Sequence, residues 1–302
     1  MDALLSHPFN PDQLRWILSA ALVLLLPGAV WVIWTPGGRG GMLGGLADAI
    51  GLSIAFTTLA ALALFLLERP LTREVLVWFY RACLAGIVAG LFFRWRRCRL
   101  KVLPILAVLL SLALFAGLVY WRLEQARTLV LPAWGDSVHH TLIVSKILAG
   151  GGLPATLAPQ LNIDFTYHYG FHAVTALFAR LSGLAPADAV LWFGQLINAA
   201  VALSLYRLAY ALWGDWRRAL LAFLLTGFAL QMPAYYLSWG RYTLLTGLAL
   251  LPLAMSAGVE AVGPGPCQAR TRSFPGSVGP GSLPGQSRKQ IRFEALLRLA
   301  IL

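Results

Sequence analysis

Two short groups of polar side chains, in one stretch of an otherwise apolar chain, have residue types that can perform chemistry. The first group is Asp136, His139 and His140. On a helix their i, i+3, i+4 spacing places them on one side of the first turn. A carboxylate beside imidazoles can act as a general base or bind a metal ion. The alternative is that Asp136 only caps the helix and that the histidines are interfacial polar residues.

A second group of polar residues follows within residues 164–172. It comprises Asp164, Tyr167, His168 and His172. His168 and His172 share one helical face if the next helix begins early enough. With Asp136 or His139 they could bind a divalent metal, although the intervening Glu of the HExxH zinc motif is missing. We expect no certain cofactor, with a divalent metal as the open alternative; interfacial Tyr and His without a chemical role are another.

The elements that position these groups are predicted from composition. Of 302 residues, 59% are hydrophobic and 12% are charged, and the mean hydropathy is +0.72. A soluble domain has about 25% charged residues, so the composition indicates a polytopic membrane protein that contacts membrane lipids. The net charge of +12 is then explained by Lys and Arg in cytoplasmic loops. No nucleic-acid motif is present, and the three distant cysteines favour neither disulfides nor a Cys-based metal site.

The predicted fold class is all-α, a polytopic helix bundle with about seven or eight transmembrane spans. The spans are predicted at residues 14–34, 46–67, 75–93, 102–121, 187–213, 219–236 and 243–258, with 171–184 as a further span or an interfacial helix. Five cations within residues 94–101 indicate a cytoplasmic loop, which makes the polar stretch after residue 121 extracytoplasmic. If 171–184 does not cross the membrane, Arg241 shares the face of that stretch; if it crosses, Arg241 is cytoplasmic.

Three regions follow from this pattern. Residues 1–121 form a four-helix membrane region, whose first span we expect to remain as an anchor. Residues 122–259 contain the extracytoplasmic loop 122–170, with a juxtamembrane helix between Gly135 and the stop signal at 150–152, and then the later helices. Residues 260–302 form a Gly/Pro-rich tail, predicted to be disordered with a short terminal helix. Its abrupt end is as typical of a truncated reading frame as of a natural terminus.

A resemblance to a known family rests on four segments. They are Gly135-Asp136 with His140, GGLP at 151–154, YHYGFH at 167–172, and LSGL at 181–184. This pattern resembles the GT-C membrane glycosyltransferases, and among them the bacterial RgtA/B/C/D-like and PMT-like proteins. The resemblance implies transfer of a sugar from a polyprenyl-phosphate-linked donor to an extracytoplasmic acceptor. It also implies an integral protein of the bacterial cytoplasmic membrane, with the active loop outside.

The resemblance assigns the catalytic role to Asp136, as acid/base toward the acceptor or as a metal contact. Arg241 is the expected partner of the leaving phosphate, since a guanidinium can neutralise its charge. The remaining residues expected to bind substrate lie in the two polar groups. They are His139, His140, Asp164, Tyr167, His168 and His172.

A second hypothesis belongs to another functional class. It is a non-catalytic transporter, flippase or assembly subunit for envelope polysaccharide. Such a protein would direct polar side chains into the bundle near the membrane midplane. The candidates for this path are Arg81, Gln195, Asn198 and Gln231. An enzyme would instead gather Asp136, His168 and Arg241 around one cavity at the outer face.

Overall fold

The described part of the chain is mainly helical and contains no strand, which confirms the predicted all-α class. The computed structural model describes residues 11–35, 40–95, 102–262 and 288–302. Within these ranges the helices are α1 (Pro11–Trp34), α2 (Gly41–Leu66), α3 (Arg73–Trp95), α4 (Val102–Ala126), α5 (Asp136–Gly150), α6 (Gly170–Ser182), α7 (Pro186–Trp213), α8 (Trp216–Leu224), α9 (Tyr235–Ser238), α10 (Tyr242–Val262) and α11 (Arg288–Ile301). A π-helical turn, Leu225–Ala229, continues α8.

Six of the described helices are long and apolar enough to cross a membrane, namely α1, α2, α3, α4, α7 and α10. This agrees with a polytopic bundle, while the expected count was about seven or eight. Two predicted spans account for the difference. Helix α6 has only 13 residues. The segment 219–236 is not one long helix, because α8 passes into the π-helical turn and leaves the helical conformation at Leu230, so it is not counted although it runs between the two ends of the bundle.

Helix α7 lies at the centre of the bundle. It is almost entirely buried and packs against α2, α4, α5, α6, α8 and α10. Small residues permit these close approaches, as is usual between membrane helices. At Gly194, for example, a Cβ atom would lie 2.3 Å from the ring of Tyr242 in α10. Any larger residue there would displace the first turn of α10, which carries part of the candidate site.

The two ends of the bundle differ in what they carry. At one end the Arg15 side chain of α1 donates to the carbonyl of Leu181, and Arg180 donates to the carbonyl of Leu71 just before α3. The start of α6 contacts Tyr242, at the start of α10, and its end contacts Arg15, near the start of α1. Both ends of α6 therefore lie at the same end of the bundle. We call this end, with α5, α6 and α9, the site face, and the other end the opposite face. Helix α6 does not cross the bundle, and Arg241 shares the site face with Asp136.

A closed ring of four ion pairs lies toward the opposite face. Arg207 of α7 contacts Asp48 of α2 at 3.2 Å and Glu260 of α10 at 2.6 Å, and Arg298 of α11 contacts the same two acids at 2.9 and 2.8 Å. The Arg207 side chain is completely buried. Two cations facing two anions leave no net charge, which offsets part of the cost of removing the charges from water.

This ring attaches α11 to the bundle. The predicted short terminal helix is present, and it packs against α10 and α2 through Ala295, Arg298 and Leu302. Glu260, which the sequence analysis assigned to the tail, belongs to α10 and to the ring. The Gly/Pro-rich segment 263–287, predicted to be disordered, lies outside the described residues, as do residues 96–101 of the basic segment.

We predict that Arg298→Met destabilises the protein by roughly 3–5 kcal/mol, because two buried carboxylates would then share one cation. The measurement is the unfolding midpoint of the purified protein. Arg218→Met is the matched control, since Arg218 forms an exposed pair with Asp215 at 3.6 Å, worth only about 0–1 kcal/mol. Adding Glu260→Met to Arg298→Met should recover part of the loss. Equal midpoints for Arg298→Met and Arg218→Met would contradict the assigned role of the ring.

Candidate functional site

Asp136 lies in the first turn of α5 and does not cap the helix. Gly135 occupies the N-cap position, and no side-chain capping hydrogen bond is formed there. Ser137 donates its hydroxyl to the carbonyl of Ala133. The Asp136 carboxylate is half exposed, and its Oδ2 lies 4.0 Å from Nε of Arg241. The helix ends as predicted, at Gly150 and Gly151, the latter with φ +70°.

A glycine brings Arg241 to this position. Gly240 has φ +64° and joins α9 to α10. A Cβ atom at Gly240 would lie 2.9 Å from Oγ of Ser137 and 3.3 Å from Cβ of Asp136. Both the left-handed conformation and the close approach therefore require glycine. The α9–α10 corner can pack against the first turn of α5 only because this residue has no side chain.

Two buried histidines lie beneath that corner. Nε2 of His140 lies 2.9 Å from the carbonyl oxygen of Gly240, and Nδ1 of His140 lies 2.8 Å from Nε2 of His172. Nδ1 of His172 in turn lies 2.9 Å from the carbonyl oxygen of His168. The pair therefore links α5, α6 and the α9–α10 corner through one chain of contacts.

The proton count of this pair is informative. Each carbonyl can only accept, so the neutral rings place their protons on Nε2 of His140 and Nδ1 of His172. The two remaining nitrogens, 2.8 Å apart, then face each other with lone pairs. Three contacts need three protons, and two neutral imidazoles have two. The pair has a position for one additional proton, shared between the rings.

Burial opposes the charged forms of both rings. Burial, together with the neighbouring His140, lowers the pKa of His172 to about 3. It also lowers the pKa of His140, while the hydrogen bond to Gly240 and the charge of Asp136 act in the opposite direction. Near neutral pH the pair is therefore uncharged.

Aromatic rings enclose the histidine pair. The rings of Tyr167, Phe171 and Tyr242 lie 6.0, 6.0 and 5.5 Å from that of His140. Phe171 and Tyr242 stack on each other at 5.1 Å. Tyr167 is half exposed, with its hydroxyl 3.5 Å from that of Thr243. The aromatic rings separate His172 from solvent and leave Tyr167 at the boundary.

The structure brings together some of the predicted site residues and not others. His139 is exposed on α5 while its neighbour His140 is buried. His168 precedes α6, so it does not share a helical face with His172, and it contributes its backbone carbonyl instead. Asp164 is exposed in the loop, where its backbone pairs with Thr156. The site therefore consists of an exposed Asp136–Arg241 pair above a buried histidine pair.

The predicted metal alternative finds no support in this geometry. Within residues 11–35, 40–95, 102–262 and 288–302, no group of three or more His, Cys, Asp or Glu residues could hold a metal ion. The 2.8 Å between the two imidazole nitrogens suits a hydrogen bond. A zinc ion between them would need about 2.0–2.1 Å on each side.

A cleft of about 470 Å³ adjoins the site and was not anticipated from the sequence. Its lining includes Ala133 and Tyr242, which flank the Asp136–Arg241 pair, and also a set of polar side chains. These are Arg122, Gln125, Gln195, Gln231 and Ser238. The sequence indicates Gln195 and Gln231 only as candidates for a transport path. A polar residue every few positions at the ends of apolar helices is the signal that could have indicated the cleft.

Comparisons with protein families, with curated proteins and with solved structures gave no match for this chain. Functional inference therefore depends on the geometry of the site.

We predict that acidification destabilises the protein through the histidine pair. The folded-state pKa of His172, about 3, lies below its ordinary value of 6.5, so unfolding takes up protons and stability falls as pH drops below about 6.5. The loss by pH 5 is on the order of 2 kcal/mol. Unfolding midpoints measured from pH 7.5 to 5 should fall less steeply in His172→Gln than in wild type. His139→Gln, at an exposed position, is the control, and an unchanged slope in His172→Gln would refute the assignment.

Proposed function

We propose that the protein is an integral membrane glycosyltransferase of GT-C type, which transfers a sugar from a polyprenyl-phosphate donor to an acceptor hydroxyl. The observation that carries this proposal is the meeting of Asp136 and Arg241 at 4.0 Å on one face of the bundle. An exposed carboxylate and an exposed guanidinium, distant in sequence, offer a proton acceptor beside an anion-binding group. Both are needed when a sugar leaves a phosphate.

The proposed mechanism follows from these two groups. The acceptor hydroxyl oxygen attacks the anomeric carbon of the sugar, and the bond from that carbon to the phosphate oxygen breaks. Asp136 takes the hydroxyl proton, and the polyprenyl phosphate leaves with the bonding electron pair. Arg241 stabilises the negative charge that develops on the phosphate. In this mechanism Asp136 is the catalytic base, and Arg241 provides electrostatic stabilisation of the leaving phosphate.

The histidine pair is assigned a positioning role in this reaction. His140 donates to the carbonyl of Gly240, the residue directly before Arg241. His172 contacts the other ring nitrogen of His140 and limits its rotation. The pair thereby holds the α9–α10 corner against α5, and this contact sets the distance between the Asp136 and Arg241 side chains.

The surroundings of the site suit a substrate that arrives from the bilayer. The adjoining cleft is lined on its apolar side by Trp121, Leu129, Phe228 and Leu230. The first two belong to the end of α4 and the segment after it, and the other two to the π-helical turn and its continuation. A lipid-linked donor could therefore place its chain along apolar side chains and its headgroup near Asp136.

We infer that the site face is extracytoplasmic. Helix α3 ends and α4 begins at the opposite face, with the basic segment 94–101 between them in the sequence, and Arg217 and Arg218 lie in the first turn of α8 at the same face. Lys and Arg accumulate in cytoplasmic loops, which places the opposite face in the cytoplasm. This orientation is the one that a bacterial cytoplasmic-membrane enzyme with a lipid-linked donor requires.

One observation favours the second candidate, a transporter or non-catalytic assembly subunit. Asn198 of α7 is buried, and neither atom of its side-chain amide has a hydrogen-bond partner among the described residues. Gln195, one turn earlier, is also buried. Arg81, however, lies on the exposed side of α3 with its guanidinium 5.3 Å from the ring of Trp78. Two neighbouring amides do not make a path, so the geometry favours the enzyme.

We predict that Asp136→Asn lowers the transfer rate by about 10²–10⁴-fold, because the amide cannot accept the proton. The assay follows labelled sugar from a polyprenyl-phosphate donor to product in membranes containing the protein. Glu124→Gln is the matched control, since Glu124 is an exposed carboxylate at the same face, paired with Arg127. Full-rate transfer by Asp136→Asn would exclude the assigned base.

We expect Arg241→Gln to lower kcat more than it raises KM, because the leaving phosphate gains charge in the transition state. Steady-state kinetics over a range of donor concentrations separate the two parameters. Arg241→Lys should retain part of the rate, since it preserves the charge but not the fork of donors. A change in KM alone would place Arg241 in ground-state binding.

A further inference from the structure

Arg122, in the last turn of α4, is a buried cation with an unusual set of partners. The residue is 3% exposed. Its Nη1 donates to Oε1 of Gln125 at 3.1 Å, and its Nη2 donates to the carbonyls of Thr226 and Gly227 in the π-helical turn. Its Nε is buried and has no hydrogen-bond partner. π-Helical turns frequently occur at functional sites.

Arg122 has no counter-ion in the described part of the chain. Among those residues, no carboxylate lies within ion-pair distance of its guanidinium, and the nearby Glu124 is paired with Arg127 at 3.1 Å. The contrast with Arg207 and Arg298 is direct, since each of those buried guanidinium groups contacts two carboxylates. A buried charge that lacks a partner is costly, and an anion beside Arg122 would remove that cost.

The cleft beside Arg122 has room for such an anion. Its volume is about 470 Å³, and its lining extends to Ala133 and to Tyr242, the residue that follows Arg241. Three amide side chains line it together with Arg122, namely Gln125, Gln195 and Gln231. Amides both donate and accept hydrogen bonds, which is the pattern that a hydroxylated ligand needs. The lining thus combines one cation with several groups able to bind hydroxyls.

We propose that this cleft is a binding site for a phosphate-bearing headgroup, with Arg122 as the residue that binds the phosphate. The inference that the cleft binds a phosphate depends only on Arg122 and the lining of the cleft. Identifying the occupant as the sugar donor rests on the proposed function and deepens it. In that case Arg122 holds the phosphate of the bound donor, the glutamines face the sugar, and Arg241 meets the charge that develops during transfer.

The test is direct binding of polyprenyl phosphate to the purified full chain in phosphatidylcholine nanodiscs, without acceptor. A parallel arm adds sodium phosphate at constant ionic strength as a competitor and so distinguishes a lipid headgroup from free phosphate. Arg122→Gln should weaken binding roughly tenfold or more, since it removes a charge-assisted contact. Arg122→Lys should weaken it less. Arg127→Gln, an exposed cation at the same helix end, should bind as wild type does.

The outcomes separate the inference from the proposed function. Binding that depends on Arg122 in a protein without transferase activity would refute the transferase and leave the phosphate site standing. Equal binding by folded Arg122→Gln and wild type would overturn the site. If Arg122→Gln does not fold, Gln231→Ala at the exposed rim of the cleft replaces it. That variant should weaken binding several-fold, and unchanged binding would refute the proposal. If sodium phosphate displaces the bound polyprenyl phosphate, the ligand is assigned as a soluble phosphate compound and not as a lipid headgroup.

Discussion

The candidate site depends on one contact, the packing of Gly240 against the first turn of α5. The absence of a side chain at Gly240 permits the approach, and the hydrogen bond from His140 to its carbonyl holds it. His172 of α6 then holds His140. Three segments that are distant in the chain meet at this point. Asp136 and Arg241, on either side of it, are neighbours only because the contact exists.

Buried arginines at the two faces of the bundle have different partners. Toward the opposite face, two acids and two arginines form a closed ring with no net charge. At the site face, Arg122 is buried against carbonyls and an amide. Paired charges are typical of a structural role, whereas a buried cation without an anion is retained at a cost to stability. This difference agrees with the proposal that the site face binds a ligand, while the ring at the opposite face stabilises the fold.

Much of the fold could be predicted because it depends on local sequence. Runs of apolar residues gave α1 to α4, α7 and α10, and glycines marked the end of α5. The site was harder, because helical spacing places Asp136, His139 and His140 on one side and cannot tell which of them packs inward. Only the contacts with α6 and Gly240 bury His140 and leave His139 exposed. Arg298 shows the same limit, since it lies in the predicted short terminal helix but no local pattern indicates its pairing with Asp48.

The geometry also decides which group would meet a substrate. The histidine pair has a position for a proton, yet Tyr167, Phe171 and Tyr242 surround it and burial lowers the pKa of both rings. A substrate hydroxyl at the surface cannot reach it directly. The carboxylate of Asp136, one helical turn away, can be reached, because its side chain is half exposed. In the proposed reaction the carboxylate is therefore the reactive group, and the imidazoles position it.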